Sequence, residues 1–242
     1  MRPMNIIETP KRAMLVIPHP DDGESGVGGT VAKWVNEGTH ILYVICTNGD
    51  KGSSDINMTS EKLAAIRRVE QINAATILGV EEVHFLEYGD GELADNNEFL
   101  GLVVEQIRRW QPEIVMAMDP IRHLSHSHRD HRISGQIALD ACFPFARDFL
   151  HFPSHSQNGL NTHKTSCALL WGTENPTDMV DIGATIDQKI QGLAAHVSQL
   201  SSDLQKIEQF AKRRAEDAAS QANKDGHNVK YAEVFRRINF RQ

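Results

Sequence analysis

Met14-Leu15-Val16-Ile17-Pro18-His19-Pro20-Asp21-Asp22-Gly23 is the stretch from which the rest of the chain can be read. Its first four residues are apolar, and two of them are β-branched. Pro18 bounds the run, which predicts a short strand buried on both faces. Strands of that kind belong to parallel sheets covered by helices. A histidine and two adjacent carboxylates stand directly after the strand, where open α/β sheets bind their ligands.

Working outward, the pattern repeats. A helix is expected from about Val27 to Asn36, stopped by Gly38, and a second strand from His40 to Cys46. A polar, glycine-rich loop follows from Thr47 to Thr59. Ser60 reads as the N-cap of a helix over Glu61–Leu78, which Gly79 ends. Val83–Leu86 predicts a strand, Phe99–Trp110 a helix that Pro112 ends, and Ile114–Met118 a further strand. A histidine-rich loop then leads into a helix from about His131 to Phe143. Ser166–Trp171 and Met179–Ile182 predict strands, and Ile186–Phe210 a helix broken near Ser201-Ser202. The tail from Ala211 to Gln242 is expected to be polar and partly helical.

Strand and helix alternate through at least the first 145 residues. That order predicts an α/β, Rossmann-like three-layer sandwich with a mostly parallel sheet, its site at the carboxyl ends of the strands. His19 to Asp22, Thr47 to Ser54, Tyr88 to Glu92 and Asp119 to His131 then converge on one rim. The expected organisation is one domain over 1–242, with a core of about 13–200 and a C-terminal helical segment of about 201–242.

Composition narrows the function classes. The chain has 242 residues, 40% hydrophobic and 24% charged, enough to bury a core without disulfides or a structural metal. Its net charge of −7 comes with no basic run longer than the three residues Lys212-Arg213-Arg214, so nucleic acid is not an expected partner. Cys46, Cys142 and Cys167 lie far apart, which argues against a disulfide framework or a cysteine zinc cluster. Residues 1–12 lack the apolar core of a signal peptide, and no apolar run reaches membrane-spanning length. The expected setting is cytoplasmic, with no membrane partner and a small-molecule substrate.

The chemistry-bearing residues fall into two clusters. In the first, a turn stiffened by Pro20 can aim His19 and Asp22 at one point, leaving Asp21 to face a metal-bound water. The plainer alternative is a turn and nothing more, since Pro, Asp and Gly dominate turns. Two adjacent carboxylates repel, however, and a cation relieves that repulsion. The second cluster is His123-Leu-Ser-His126-Ser-His128-Arg-Asp130-His131, with four histidines in nine residues against 12 in the whole chain. Its plainer alternative is a solvated loop capping the next helix. A His and a carboxylate from one loop and a His from the other make three protein ligands with an open fourth position, the arrangement of a catalytic zinc site. Magnesium prefers all-oxygen ligands.

His-Pro-Asp-Asp followed by Gly26-Val-Gly-Gly-Thr30, with a downstream His128-x-Asp130-His131, resembles the PIG-L/LmbE-like zinc-dependent N-deacetylases. Thr47-Asn-Gly-Asp-Lys-Gly52, Arg67-x-x-Glu70, Leu78-Gly79 and Ala195-His-Val-Ser-Gln199 are also similar to that family. The resemblance covers roughly residues 13–200, and the layout is most similar to the diacetylchitobiose deacetylases. It implies one Zn2+ per chain on His19, Asp22 and His131, with Asp21 as general base. It also implies that His128 assists as an electrostatic or acid group, that Asp130 orients the His128 ring and favours its imidazolium, and that Arg67 contacts substrate. Asp119, at a strand end, is a further candidate for orienting a ligand or the substrate. Three positions depart from the family pattern. Pro18 replaces a small residue, Gly23 a frequent Glu, and Arg129 a common Pro.

The activity so implied is removal of the acetyl group from an N-acetylated amino sugar, an N-acetylglucosamine-type mono- or disaccharide. A zinc amidase for larger acyl or thiol-conjugate amides, or a non-catalytic sugar-binding protein of the same fold, are the alternatives. A homo-oligomer, trimer or hexamer, is expected by analogy. The glycines at 26, 28 and 29 lack a dinucleotide or P-loop pattern and read as close helix packing. His196, on an expected helix, reads as a satisfied histidine, and Trp171, near the rim, as a possible sugar-stacking residue.

Overall fold

The run 14–17 forms the middle of β2 (Arg12–Ile17), and Ala13 to Ile17 are wholly inaccessible to solvent. β2 pairs in parallel with β3 (His40–Thr47), Ile17 opposite Ile45, and with β5 (Ile114–Met118), Val16 opposite Ala117. This register brings the carboxyl ends of the three strands, and the loops that leave them, to one rim. The remaining strands are β1 (Asn5–Ile6), β4 (Glu82–Tyr88), β6 (Cys167–Trp171), β7 (Asp178–Asp181) and β8 (Ala232–Asn239). All belong to one eight-stranded sheet in the order β1-β7-β8-β6-β5-β2-β3-β4. This computed structural model describes residues 3–200 and 203–241.

The helices are α1 (Asp22–Asn36), α2 (Ser60–Leu78), α3 (Asn97–Trp110), α4 (Arg129–Cys142), α5 (Pro153–Gln157), α6 (Ile186–Ala194) and α7 (Leu204–Lys224). α1, α2, α6 and α7 pack on one another, and so do α3 and α4, covering the sheet with two groups of helices. The result is the expected α/β sandwich with a mostly parallel sheet. No helix of the described residues is long and apolar enough to cross a membrane.

Several boundaries differ from the sequence expectation for identifiable reasons. α1 begins at Asp22 rather than Val27, because Val27 is a kink (φ −141°, ψ 17°) between two helical segments. The second segment restarts on a distant carboxylate, as Glu233 accepts the N–H groups of Gly29 (3.0 Å) and Thr30 (2.7 Å). The cap of α2 is Thr59, whose hydroxyl accepts Lys62 N–H, and not Ser60. α4 begins two residues early, at Arg129, capped by the His128 ring. Helix is interrupted between Ala194 and Leu204, and the expected break at Ser201-Ser202 itself lies outside the described residues.

The larger correction concerns the C-terminal segment. Residues 232–239 are not helical but form β8, antiparallel between β6 and β7 in the sheet interior. The arginine pair that made this stretch look like a solvated tail is neutralised there. Arg236 forms a two-pronged pair with Asp119 (2.8 and 2.6 Å), and Arg237 donates to Asp178 (2.8 Å).

Candidate metal centre and active site

β2 ends in a turn whose backbone is strained. Asp21 adopts φ +96°, a left-handed conformation that costs a non-glycine residue of order 1–3 kcal/mol. Three contacts hold it there. Its N–H donates to Gln71 Oε1 (3.1 Å), while Arg67 donates to the Pro20 carbonyl (2.6 Å) and to Asp21 Oδ2 (3.3 Å). Arg67 also donates to the Gly49 carbonyl (3.1 Å), and a Cβ at Gly49 would lie only 2.7 Å from the guanidinium. Arg67, expected at the substrate, is thus buried and turned onto the turn that carries Asp21.

With the turn fixed, Asp22 Oδ2 lies 3.1 Å from His19 Nδ1 and 3.2 Å from His131 Nε2. Zinc bonded to N and O ligands at 2.0–2.2 Å in a tetrahedron separates neighbouring ligand atoms by about 3.3–3.6 Å. The two distances from Asp22 Oδ2 are therefore close to the spacing that such an ion needs. The other ring nitrogen of His19, Nε2, lies 3.1 Å from both Asp130 Oδ2 and Asp90 Oδ1. His19 thus belongs to two candidate ligand sets, one with His128 and His131 and one with Asp90 and Asp130. Asp130 Oδ2 also accepts the Gly91 N–H (2.7 Å), and a carboxylate behind a ligating imidazole is the usual outer support of a metal histidine. His19, Asp22 and His131 offer the imidazole and carboxylate donors that zinc accepts.

The charges follow from this packing. Burial opposes protonation of His19, but hydrogen bonds to Asp130, Asp22 and Asp90 outweigh it and raise the pKa to about 11. Burial also works against the Asp22 carboxylate, yet His131 and His19 hold its pKa below the usual carboxylate range. Asp21 goes the other way. Burial and the charge of Asp22 outweigh Arg67 and His196 and push its pKa up to about 7.

The His128 ring departs from the sequence expectation. Its Nδ1 accepts the main-chain N–H of Asp130 (3.2 Å), so the ring proton of the neutral form sits on Nε2. The Asp130 carboxylate is bonded to His19 and Gly91 instead of orienting this ring. Burial, followed by the charge on His19, lowers the His128 pKa, which opposes the expected imidazolium. Asp119 also turns away from the rim, since its carboxylate is paired with Arg236 and accepts the Ile121 N–H (3.0 Å).

Asp90, Gln71 and Glu24 also reach the site and were not singled out from sequence, whereas His196 and the stretch Ala195–Gln199 were. Asp90 sits in a loop recognised only as part of the rim. Gln71 bridges Asp21 to Glu24, donating to Glu24 Oε1 at 3.0 Å. His196, wholly buried, faces Glu24 Oε2 at 3.3 Å. Burial opposes its protonation, but Glu24 outweighs it and raises the pKa. Two residues on, Ser198 donates from N and Oγ to Glu70 (2.8 and 2.7 Å). The stretch Ala195–Gln199 therefore braces α1 and α2 beside the turn that carries Asp21. A cleft of about 430 Å³ lies at the opposite ends of β5 and β6, lined by Asn5, Glu113 and Asn239 but by no histidine.

The family described as PIG-L, GlcNAc-PI de-N-acetylase, matches residues 14–142, more than half of the chain. The protein belongs to the PIG-L family. Diacetylchitobiose deacetylase of Thermococcus kodakarensis is 31% identical over 198 residues, covering 80% of this chain and 72% of that protein. The structure of N,N'-diacetylchitobiose deacetylase from Pyrococcus horikoshii, complexed with its inhibitor MPG, superposes with a TM-score of 0.87 at 32% identity. It covers 95% of this chain and 84% of that one. Mycothiol S-conjugate amidase of Streptomyces coelicolor is 29% identical over 224 residues, covering 77% and 75%. The span matched to the PIG-L family contains both histidine clusters, while the His196 brace, α7 and β8 lie beyond it.

Proposed function

We propose that this PIG-L protein is a zinc-dependent hydrolase that removes the acetyl group from an N-acetylated amino sugar of the N-acetylglucosamine type. The observation that carries the reading is the contact of Asp22 Oδ2 with both His19 Nδ1 and His131 Nε2, beside an Asp21 carboxylate held on a strained turn. His19, Asp22 and His131 would hold one Zn2+. When bound, the ion would lower the pKa of a water to about 7 and polarise the acyl carbonyl.

The chain's own groups do the rest. Asp21 takes the proton from the attacking water, and its raised pKa keeps it a base able to return that proton to the leaving amine. His128 presents Nε2–H as a neutral donor to the oxyanion. Loss of one such donor costs about 3–4 kcal/mol in the transition state. Arg67 acts through Asp21 rather than on the sugar, holding it in place and limiting the rise of its pKa. Asp130 and Asp90 fix the tautomer and direction of His19.

The test is acetate release from N-acetylglucosamine and N,N'-diacetylchitobiose by zinc-loaded protein, with and without a chelator. Chelator-sensitive release is expected. Protein that carries one zinc per chain, leaves both sugars intact and cleaves a larger thiol-conjugate amide would move the reading to an amidase. The likeness to mycothiol S-conjugate amidase makes that the comparison to run.

A further inference from the structure

Beside the metal turn, on the same rim, a cavity of about 160 Å³ is lined by Ser25, Trp171, Lys189, Arg214 and Glu233. Ser25 lies three residues beyond Asp22 on α1, and Trp171 ends β6. The polar groups here are mainly donors without acceptors. The Trp171 ring is 2% exposed, and its buried Nε1–H has no protein acceptor. That ring lies so close over Gly26 that a Cβ there would be 2.5 Å from it. Arg214, from α7, donates to Ser25 Oγ (3.2 Å) and stacks on Phe210, with no carboxylate partner among the described residues. Arg122, from the loop that carries His128, lies against Gly172 at the cavity edge. No ion pair or hydrogen bond is found for it among the described residues, and its Nε is buried without an acceptor.

The nearby carboxylates are already committed. Glu233 is paired with Lys189 and caps the second segment of α1, Asp22 is bound to His19 and His131, and Asp119 is bound to Arg236. Lys189 and Glu233 cancel, so the net charge of the cavity is that of its arginines. Arg214 lines this cavity together with Gly172, and the Arg122 guanidinium lies against Gly172; two guanidiniums at one cavity, beside an unmatched indole N–H, are an arrangement that an oxyanion stabilises and a neutral group does not.

We propose that Arg122, Arg214, Trp171 and Ser25 form an oxyanion subsite that receives a carboxylate or phosphate group carried by the substrate. Resting on the deacetylase reading above, this assigns the preferred substrates to N-acetylated amino sugars with an acidic substituent. Arg214 and Arg122 close on the anion from α7 and from the loop between β5 and α4, while the acetamide lies at the metal turn.

The test compares zinc-loaded wild type with Arg122→Gln, Arg214→Gln and the double variant, with zinc content and Tm recorded for each. The substrates are N-acetylglucosamine, N-acetylglucosamine 1-phosphate and N-acetylmuramic acid, which separate phosphate from carboxylate as the recognised group. Wild type is expected to favour at least one acidic sugar over the neutral one. In the double variant that preference in kcat/KM should fall by about tenfold or more, the loss residing in KM. Arg214→Lys, which keeps a charge in the same place, should retain part of it. Equal ratios in wild type and double variant would overturn the subsite. If no sugar is deacetylated, calorimetry with inorganic phosphate still decides. One equivalent bound by wild type and lost in the double variant supports the subsite, and identical titrations refute it.

Discussion

Replacing Arg67 by Met would test whether this buried guanidinium acts on Asp21 or on a substrate. The side chain is 4% exposed and donates to the Pro20 and Gly49 carbonyls and to Asp21 Oδ2. Deleting it leaves two buried carbonyls short of a donor and Asp21 without its nearest cation. Breaking a buried charge pair of this kind costs about 3–5 kcal/mol. In a protein of this length that corresponds to a Tm lower by roughly 6–20 °C. The electrostatic consequence is more specific. Arg67 opposes the rise of the Asp21 pKa, so its loss lets burial and Asp22 push that pKa higher still. A unit charge a few ångströms away is worth about 4 kcal/mol at an effective dielectric of 20, and solvent at the partly open Asp21 reduces this to a shift of about 1–2 pH units. The assay is kcat/KM against pH for the zinc-loaded protein below its melting temperature. The acid limb should move to higher pH by about that amount, with activity recovering in alkali, and Arg67→Lys should bring the limb back. A uniform loss at every pH, carried by KM, would refute this role and return Arg67 to the substrate.

Further outcomes follow from the same geometry. His128→Ala should lower kcat by about 10²- to 10³-fold while one zinc per chain remains, since only the Nε2 donor is lost; loss of zinc would make His128 a ligand instead. Asp130→Asn should weaken zinc binding by about 10- to 100-fold in a competition titration, because His19 Nε2 loses its carboxylate; unchanged affinity would remove Asp130 from the support of the site. In the metal-free protein, the folded pKa of His19 stands at about 11, above its unfolded value of 6.5. Its contribution to stability is complete below pH 6.5 and is lost as the pH rises towards 11. Thermal melts should therefore fall between pH 7 and 9, by at most about 1.4 kcal/mol per unit, and zinc should reverse the trend. A flat Tm over that range would contradict the charged His19. Glu233→Gln should cost about 2–4 kcal/mol in chemical denaturation, since Lys189 is left buried without its partner and the second segment of α1 loses its cap.

The parallel half of the fold was legible because its strands are buried on both faces and read as unbroken apolar runs, as in 14–17 and 114–118. The rim was legible for the same reason, since the chemically unusual loops begin where those runs end. β8 was not, because Arg236 and Arg237 read as solvent-facing until Asp119 and Asp178, far away in sequence, neutralise them inside the sheet. The same pairing occupies Asp119, which the sequence offers as a candidate for orienting a ligand or the substrate. The two histidine clusters could be brought together on paper, but the partner of each ring nitrogen could not. Asp90 was hidden because a lone Asp beside glycines signals a turn, and only the approach of β4 to β3 carries it to His19. Gln71, Glu24 and His196 lie on three separate helices and turns, and nothing local in the sequence ties them together.

The most direct measurement on the central claim is acetate release by zinc-loaded protein set beside Asp21→Asn, with the zinc content of both determined. Chelator-sensitive release by the wild type, and loss of more than about a thousandfold of kcat in a variant that still holds one zinc per chain, is the predicted result. Near-normal turnover by the zinc-loaded variant would contradict the assignment of Asp21 as the base and, with it, this account of the site.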